Sequence, residues 1–359
     1  MTHLSMRRAG IAVALTALTL GGLAPAAGAD PGFRVVADHL NNPRQIVVRD
    51  GAVYVAEAGT GGSTCIPDVG ACIGFTGSVT KVWGRHAHRV QTGMLSINVS
   101  EGDGEVVGLD ALTFSGGHLF GVVTGACGVT GLPQRVTAQL GKVLKLRGGN
   151  SFTAVGDAST IECTTDPDGQ GPDTDPYGLA AKGSTFFVAD AAGNDVVKIR
   201  NGRTSVATVL SRTGQPVPTS LALGPDGALY IGTLNFEAGP GGAAVFRLAP
   251  GSHTATLYAG GLTAITGIAF GPHGRLFVSE WTTGFDQNGP TPNGDVVSIP
   301  WGGGTKGRHV IGTGVLHFPG GVGISDGAVY VSNWSIAAGT DGPFGPGNHG
   351  QLLRFKLDD

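Results

Sequence analysis

The stretch Pro218-Thr219-Ser220-Leu221-Ala222-Leu223-Gly224-Pro225-Asp226-Gly227-Ala228-Leu229-Tyr230-Ile231-Gly232 decides the fold. Small and apolar residues alternate up to Leu223, Gly224 to Gly227 are turn residues, and a second apolar run follows, so the segment reads as a β-hairpin. A third strand is expected over Ala244-Val245-Phe246-Arg247-Leu248. A turn at Pro250-Gly251 leads to a fourth strand over Thr254-Ala255-Thr256-Leu257-Tyr258. Four antiparallel strands in a meander make one propeller blade.

The second strand of that unit has five relatives along the chain. They are Asp50-Gly51-Ala52-Val53-Tyr54-Val55, Gly117-His118-Leu119-Phe120-Gly121, Ser184-Thr185-Phe186-Phe187-Val188, His273-Gly274-Arg275-Leu276-Phe277-Val278 and Asp326-Gly327-Ala328-Val329-Tyr330-Val331. A supersecondary unit recurring at roughly 40–50 residues, with insertions in the first blades, predicts an all-β, six-bladed β-propeller of four-stranded antiparallel blades. The last unit ends after its third strand, whereas Phe33-Arg34-Val35-Val36 is an outer-strand sequence without a blade. The N-terminal strand is therefore expected to complete the last blade, which removes the open edge. The predicted blades are about 38–97, 105–160, 173–210, 216–260, 261–313, and 316–359 with 33–37, forming a single domain over 30–359.

Residues 1–29 read as a signal peptide. Arg7 and Arg8 precede an apolar run to Leu23, and Ala27-Gly28-Ala29 has the small residues of a cleavage site. No later run is long and apolar enough to span a bilayer, so a secreted chain without a membrane span is expected. A formal net charge of −3, with no basic stripe, argues against nucleic acid as a partner. Four cysteines in an exported chain suggest disulfides. Cys65 with Cys72 would close one Gly- and Pro-containing loop, leaving Cys127 for Cys163.

In an antiparallel blade the start of the innermost strand and the end of the second strand meet at one rim. The ends carry Glu57, Thr124, Asp190, Asn235, Glu280 with Trp281, and Asn333 with Trp334. The starts carry Asn42, Arg44, Asp110, Asp175, Tyr177, Ser220 and Thr266. Of these, Arg44, Glu57, Asp175, Tyr177, Asp190, Asn235, Glu280, Trp281, Asn333 and Trp334 form the candidate binding rim. Glu57, Asp190, Asn235, Glu280 and Asn333 offer oxygen ligands for a hard cation, with Ca²⁺ as the candidate cofactor. The same residue types also bond to turn backbones, and both roles stand open. The loop Asp166-Pro167-Asp168-Gly169-Gln170-Gly171-Pro172-Asp173-Thr174-Asp175 resembles a Ca²⁺ loop in spelling, although Tyr177 stands where an EF-hand has its bidentate Glu. A solvated acidic loop rich in turns is the other reading. Ser78-Val79-Thr80-Lys81 spells S-x-x-K, but strand residues three apart face opposite sides, so it is no nucleophile–base pair.

Asp190 to Ile199 is similar to the core of NHL-type propeller repeats. Asn42-Pro43-Arg44, the Cys65/Cys72 pair before Gly77-Ser78-Val79, Asp175-Pro176-Tyr177-Gly178-Leu179 and Pro216-Val217-Pro218-Thr219-Ser220 resemble the ScyD/ScyE family of exported bacterial proteins. That resemblance spans the mature chain and implies an exported propeller, without assigning catalytic residues. Two functions follow. One is a secreted, monomeric binding propeller for an extracellular small molecule, glycan or protein. The other is a Ca²⁺-dependent lactonase- or lyase-like enzyme acting at the channel mouth. Whether the protein is an enzyme is left open.

Overall fold

The computed structural model describes residues 32–66, 70–99, 105–287, 289–339 and 347–357. The leader expected over 1–29 lies outside them. Six antiparallel blades surround a channel, their inner strands being Pro43–Arg49, Leu109–Ser115, Pro176–Lys182, Pro218–Leu223, Ile265–Phe270 and Val322–Ser325. Each inner strand packs beside the next around the ring, and the sixth returns to the first. The first blade is enlarged. Its third strand, Ala71–Trp83, also pairs with the short strand Thr64–Ile66, and its outer strand, His86–Val99, pairs with Val106–Val107.

The repeated aromatic phrase is apolar at consecutive positions because both faces of each blade are buried. Successive strand residues point to opposite faces. Thus Leu229 and Ile231 enter the core shared with the third blade, whereas Ala228 and Tyr230 enter the core shared with the fifth. Six apolar clusters fill the six gaps between consecutive blades in this way. The tightest hairpins follow turn chemistry. In Asp50-Gly51, Asn201-Gly202 and Asp326-Gly327 both residues have positive φ, as the two-residue turn matching strand twist requires.

Ring closure is as expected. Phe33–Leu40 is the outer strand of the last blade and pairs antiparallel with Gly350–Lys356, for example Phe33 with Phe355 and Val35 with Leu353. Ala37 and Leu40 fill the last gap together with Ile46, Val53 and Leu352. The disulfides are Cys65–Cys72, opposite one another in a hairpin, and Cys127–Cys163. No helix among the described residues is long and apolar enough to cross a membrane.

A chain starting at Asn41 would lose one strand, expose the edge of Gly350–Lys356 and open the final core. It should aggregate, or melt at least about 5 °C below the chain starting at Asp30, the scale of a few kcal/mol in a large domain. Equal melting curves and equal gel-filtration profiles would refute closure by this strand.

Candidate functional site

Five inner strands slip register at their first residues, between Pro43 and Ile46, Leu109 and Ala111, Pro176 and Gly178, Pro218 and Ser220, and Ile265 and Gly267. A bulge of this kind re-aims the extra side chain. The residues at the slips are Arg44 with Gln45, Asp110, Tyr177, Thr219 and Thr266. The sixth blade has Gly320-Gly321 at this level. Gln45 reaches across the ring, its Nε2 donating to the backbone oxygen of Thr266 and, at 3.4 Å, to that of Thr219. Glycine is needed here because a Cβ on Gly321 would stand 2.5 Å from the Ile46 nitrogen, and one on Gly267 would stand 2.7 Å from the Gly320 oxygen. Beyond this waist, toward the hairpin turns, lies a channel cavity of about 300 Å³ walled by residues such as Val48, Ala111, Leu179, Leu221, Ile268 and Val322.

At the mouth, Arg44 and Asp110 are buried beneath half-buried Tyr177 and Asp175 and exposed Glu105. Arg44 Nη2 donates to the Val106 oxygen at 2.6 Å and to Glu105 Oε1 at 3.4 Å, and Nη1 donates to the Tyr177 hydroxyl at 3.5 Å. Arg44 Nε lies 3.6 Å from Asp110 Oδ1, an ion pair without hydrogen-bond geometry. Thr124 Oγ1 donates to Asp175 Oδ1 at 2.7 Å. Neither oxygen of Asp110 accepts a well-formed hydrogen bond. Burial pushes the Asp110 carboxyl well above the usual range, and Asp175 and Glu105 add to this against the opposing Arg44 and Gly108 backbone. Burial also raises the Tyr177 hydroxyl to about 12, although Arg44 opposes it. Burial disfavours the Arg44 charge, but Tyr177, Asp110 and Glu105 outweigh it and raise its pKa. The mouth therefore holds a fixed cation, a carboxyl without a well-formed hydrogen bond and a phenol.

The strand-end residues share a different task. Glu57, Asp190, Glu280 and Asn333 each accept a backbone N–H from the chain approaching their own blade's inner strand. The donors are Asn41 at 2.8 Å, Asp175 at 2.7 Å, Thr263, and His317 at 2.6 Å. Glu57 also accepts from Ser78 and Thr80, and Arg89 Nη2 donates to it at 2.8 Å. Asn235 Nδ2 donates to the Gly242 oxygen at 2.6 Å, within a turn. These five side chains are thus engaged separately, and no hydrogen bond joins any two of them. Trp281 and Trp334 lie largely buried in an apolar cluster with Ala264, Phe318 and Ala337. The Trp281 and Phe318 rings lie 4.5 Å apart in a tilted arrangement, and Trp334 stacks 4.6 Å from His317. Of the candidate rim, the structure brings together Arg44, Tyr177 and Asp175, and adds Glu105, which had no motif to mark it.

Two groups of acidic or histidine ligands converge among the described residues. Asp38, His39 and His349 form one, where Asp38 pairs with His349 at 2.6 Å and His39 bonds the Gly339 backbone. Glu162, Asp166 and Asp168 form the other, in the acidic loop.

The chain matches no protein-family model and no curated protein. Among solved structures it is similar to a glucose dehydrogenase at 13% identity, TM-score 0.56, covering 91% of this chain and 100% of that one. A putative oxidoreductase of the glucose dehydrogenase kind from Thermus thermophilus gives 15% identity, TM-score 0.50 and coverage of 90% and 98%. A calcium-binding regucalcin from Agrobacterium tumefaciens gives 11%, 0.48, and 90% and 93%. At these identities the likeness is one of fold.

Glu280 faces Asp295 directly across the second and third strands of the fifth blade. Burial and the Asp295 charge raise Glu280 to about 8, with Arg308 opposing. Between about pH 4.3, the usual value for an unfolded Glu, and pH 8 the folded chain holds a proton that the unfolded chain releases. Stability must therefore fall as pH rises through that window. Glu280→Gln keeps the acceptor for Thr263 and removes this proton, so its melting temperature should decline less between pH 5 and 8 than that of the wild type. Parallel declines would contradict the raised Glu280.

Proposed function

We propose that this chain is an exported binding propeller of the ScyD/ScyE type whose ligand site is the channel mouth around Arg44, Asp110 and Tyr177. Two disulfides suit an oxidising compartment, in keeping with the leader read in the sequence. The observation that carries the reading is Asp110, a buried carboxyl neither of whose oxygens accepts a hydrogen bond of good geometry, because buried polar groups are normally satisfied and an under-satisfied one marks a place for a partner.

The chemistry of that partner follows from its surroundings. Arg44 already supplies positive charge 3.6 Å from Asp110, so a second cation would be repelled, whereas a neutral hydroxyl donor would complete the site. The Tyr177 ring offers an apolar face beside a polar tip. A polyhydroxylated ligand, sugar-like in having O–H donors and a C–H face, matches both. A second reading rests on the same carboxyl: a protonated Asp110 next to a fixed cation could deliver a proton to a lactone or ester oxygen.

Binding of the mature chain to a panel of mono- and oligosaccharides tests the first reading. At least one sugar should bind, and Asp110→Asn or Tyr177→Phe should weaken it roughly tenfold or more, the order of one to two well-placed hydrogen bonds, while Glu280→Gln leaves it unchanged. Absence of binding up to millimolar sugar, or binding untouched by both mouth variants, would overturn it. Turnover of lactones or esters that is lost in Asp110→Asn would favour the second reading.

A further inference from the structure

A group of buried acids lies away from the channel mouth, where the connection from the second blade reaches the third. Glu162 is carried by the helix Ser159–Thr165, which Cys163 ties to Cys127. Asp166 follows at the helix end with a left-handed φ of 44°, and Asp168 comes two residues later. One ligand oxygen from each of the three lies within 4.8 Å of the others. Asp195 begins the third strand of the blade, opposite Asp190.

Glu162 and Asp195 distinguish this cluster from a solvated acidic loop. Both are 0% exposed, and none of their four carboxylate oxygens has a hydrogen-bond partner. Asp195 lies within electrostatic reach of Glu162, Asp168 and Asp190, and Glu162 within reach of Asp166, Asp168 and Asp190. No Lys, Arg or His among the described residues forms an ion pair with any of Glu162, Asp166, Asp168 or Asp195. Burying a charge is costly unless it is paired or coordinates a metal, and this set lacks a protein cation. Neutral donors meanwhile orient the other carboxylates. Asn194 Nδ2 donates to Asp168 Oδ2 at 2.9 Å, the Gln170 N–H to Asp168 Oδ1 at 2.9 Å, and the Gly171 N–H to Asp166 at 3.2 Å. Such outer contacts hold metal ligands in position. A Cβ on Gly193 would stand 3.0 Å from Glu162 Oε2, so glycine leaves that side of the carboxylate open.

We propose that Glu162, Asp166 and Asp168 bind one Ca²⁺ ion beside the buried Asp195 carboxylate, which adds negative charge to the site, and that the ion fastens the connection between the second and third blades to the edge of the third. The donors are all oxygen, with no Cys or His, which selects a hard cation over zinc or copper. They come from a helix and the loop that follows it, an irregular set that suits the flexible coordination of Ca²⁺ better than the strict octahedron of Mg²⁺. Asp190, held by Thr174, Asp175 and Gly193, is not among the converging carboxylates and is left outside the set.

Chelator-treated mature protein should be titrated with CaCl₂ and MgCl₂ by calorimetry and melted in EDTA and in excess Ca²⁺, beside Glu162→Gln, Asp195→Asn and Asp166→Asn. The wild type should take up one Ca²⁺ per chain, more tightly than Mg²⁺, and melt higher with it. Glu162→Gln and Asp166→Asn should each bind about tenfold or more weakly, and Asp195→Asn, which removes the charge beside the site, should also bind less tightly. In EDTA, Glu162→Gln and Asp195→Asn should melt at or above the wild type, because each removes a buried repulsion, and in Ca²⁺ the order should reverse. Asp166→Asn, at a half-buried position, reports binding where folding is not at stake. No Ca²⁺ uptake by the wild type, uptake undiminished in all three variants, or tighter Mg²⁺ than Ca²⁺ would overturn the assignment.

Discussion

The antiparallel pairing of Phe33–Leu40 with Gly350–Lys356 holds the whole ring shut. Each blade buries both faces, and each core belongs to two blades, so an open array would leave two half-cores in water and two strand edges unpaired. Joining the first strand to the last blade removes both costs together. It also fixes the ring circumference, which brings Arg44, Asp110 and Tyr177 from three blades to one mouth and lets Gln45 reach the backbones of Thr219 and Thr266 on the far side.

Within that ring, one local device separates scaffold from site. The strand-end acids and the Asn333 carboxamide accept backbone N–H groups and hold each incoming connection to its blade. The inner-strand bulges, one turn of chain away, aim Arg44, Asp110 and Tyr177 inward instead. Buried acids thus occur in three settings with different consequences. Glu57 is compensated by Arg89, whereas burial and the Asp295 charge facing it push Glu280 toward its protonated form. The carboxylates of Glu162 and Asp195 have no hydrogen-bond partner among the described residues.

The architecture was legible in the sequence because burial on both faces writes a period-two apolar signal, and Asp-Gly or Asn-Gly turns punctuate it. Closure was legible from an unmatched strand at one end and a missing one at the other. The site was less legible. A bulge shifts the side-chain period by one residue, so Thr219 rather than Ser220 stands at the slip in the fourth blade. Trp281 and Trp334 sit just past strand ends, as expected of a rim, yet fold onto Phe318 and Ala337, a contact set by loops distant in sequence. Arg89, the partner of Glu57, comes from the outer strand, and no local motif links the two. For the Asp166–Asp175 loop, the spelling left two readings open. The burial of Glu162 and Asp195, outside the spelled motif, is what separates them.

If the re-aimed side chains at the mouth form the binding surface, a crystal structure of the mature chain with the tightest sugar from the panel will show it. Ligand density should bridge Asp110 and the Tyr177 ring above Arg44. Ligand seated on the outer edge of the third blade, or at the hairpin end of the channel, with Asp110 left uncontacted, would contradict this assignment.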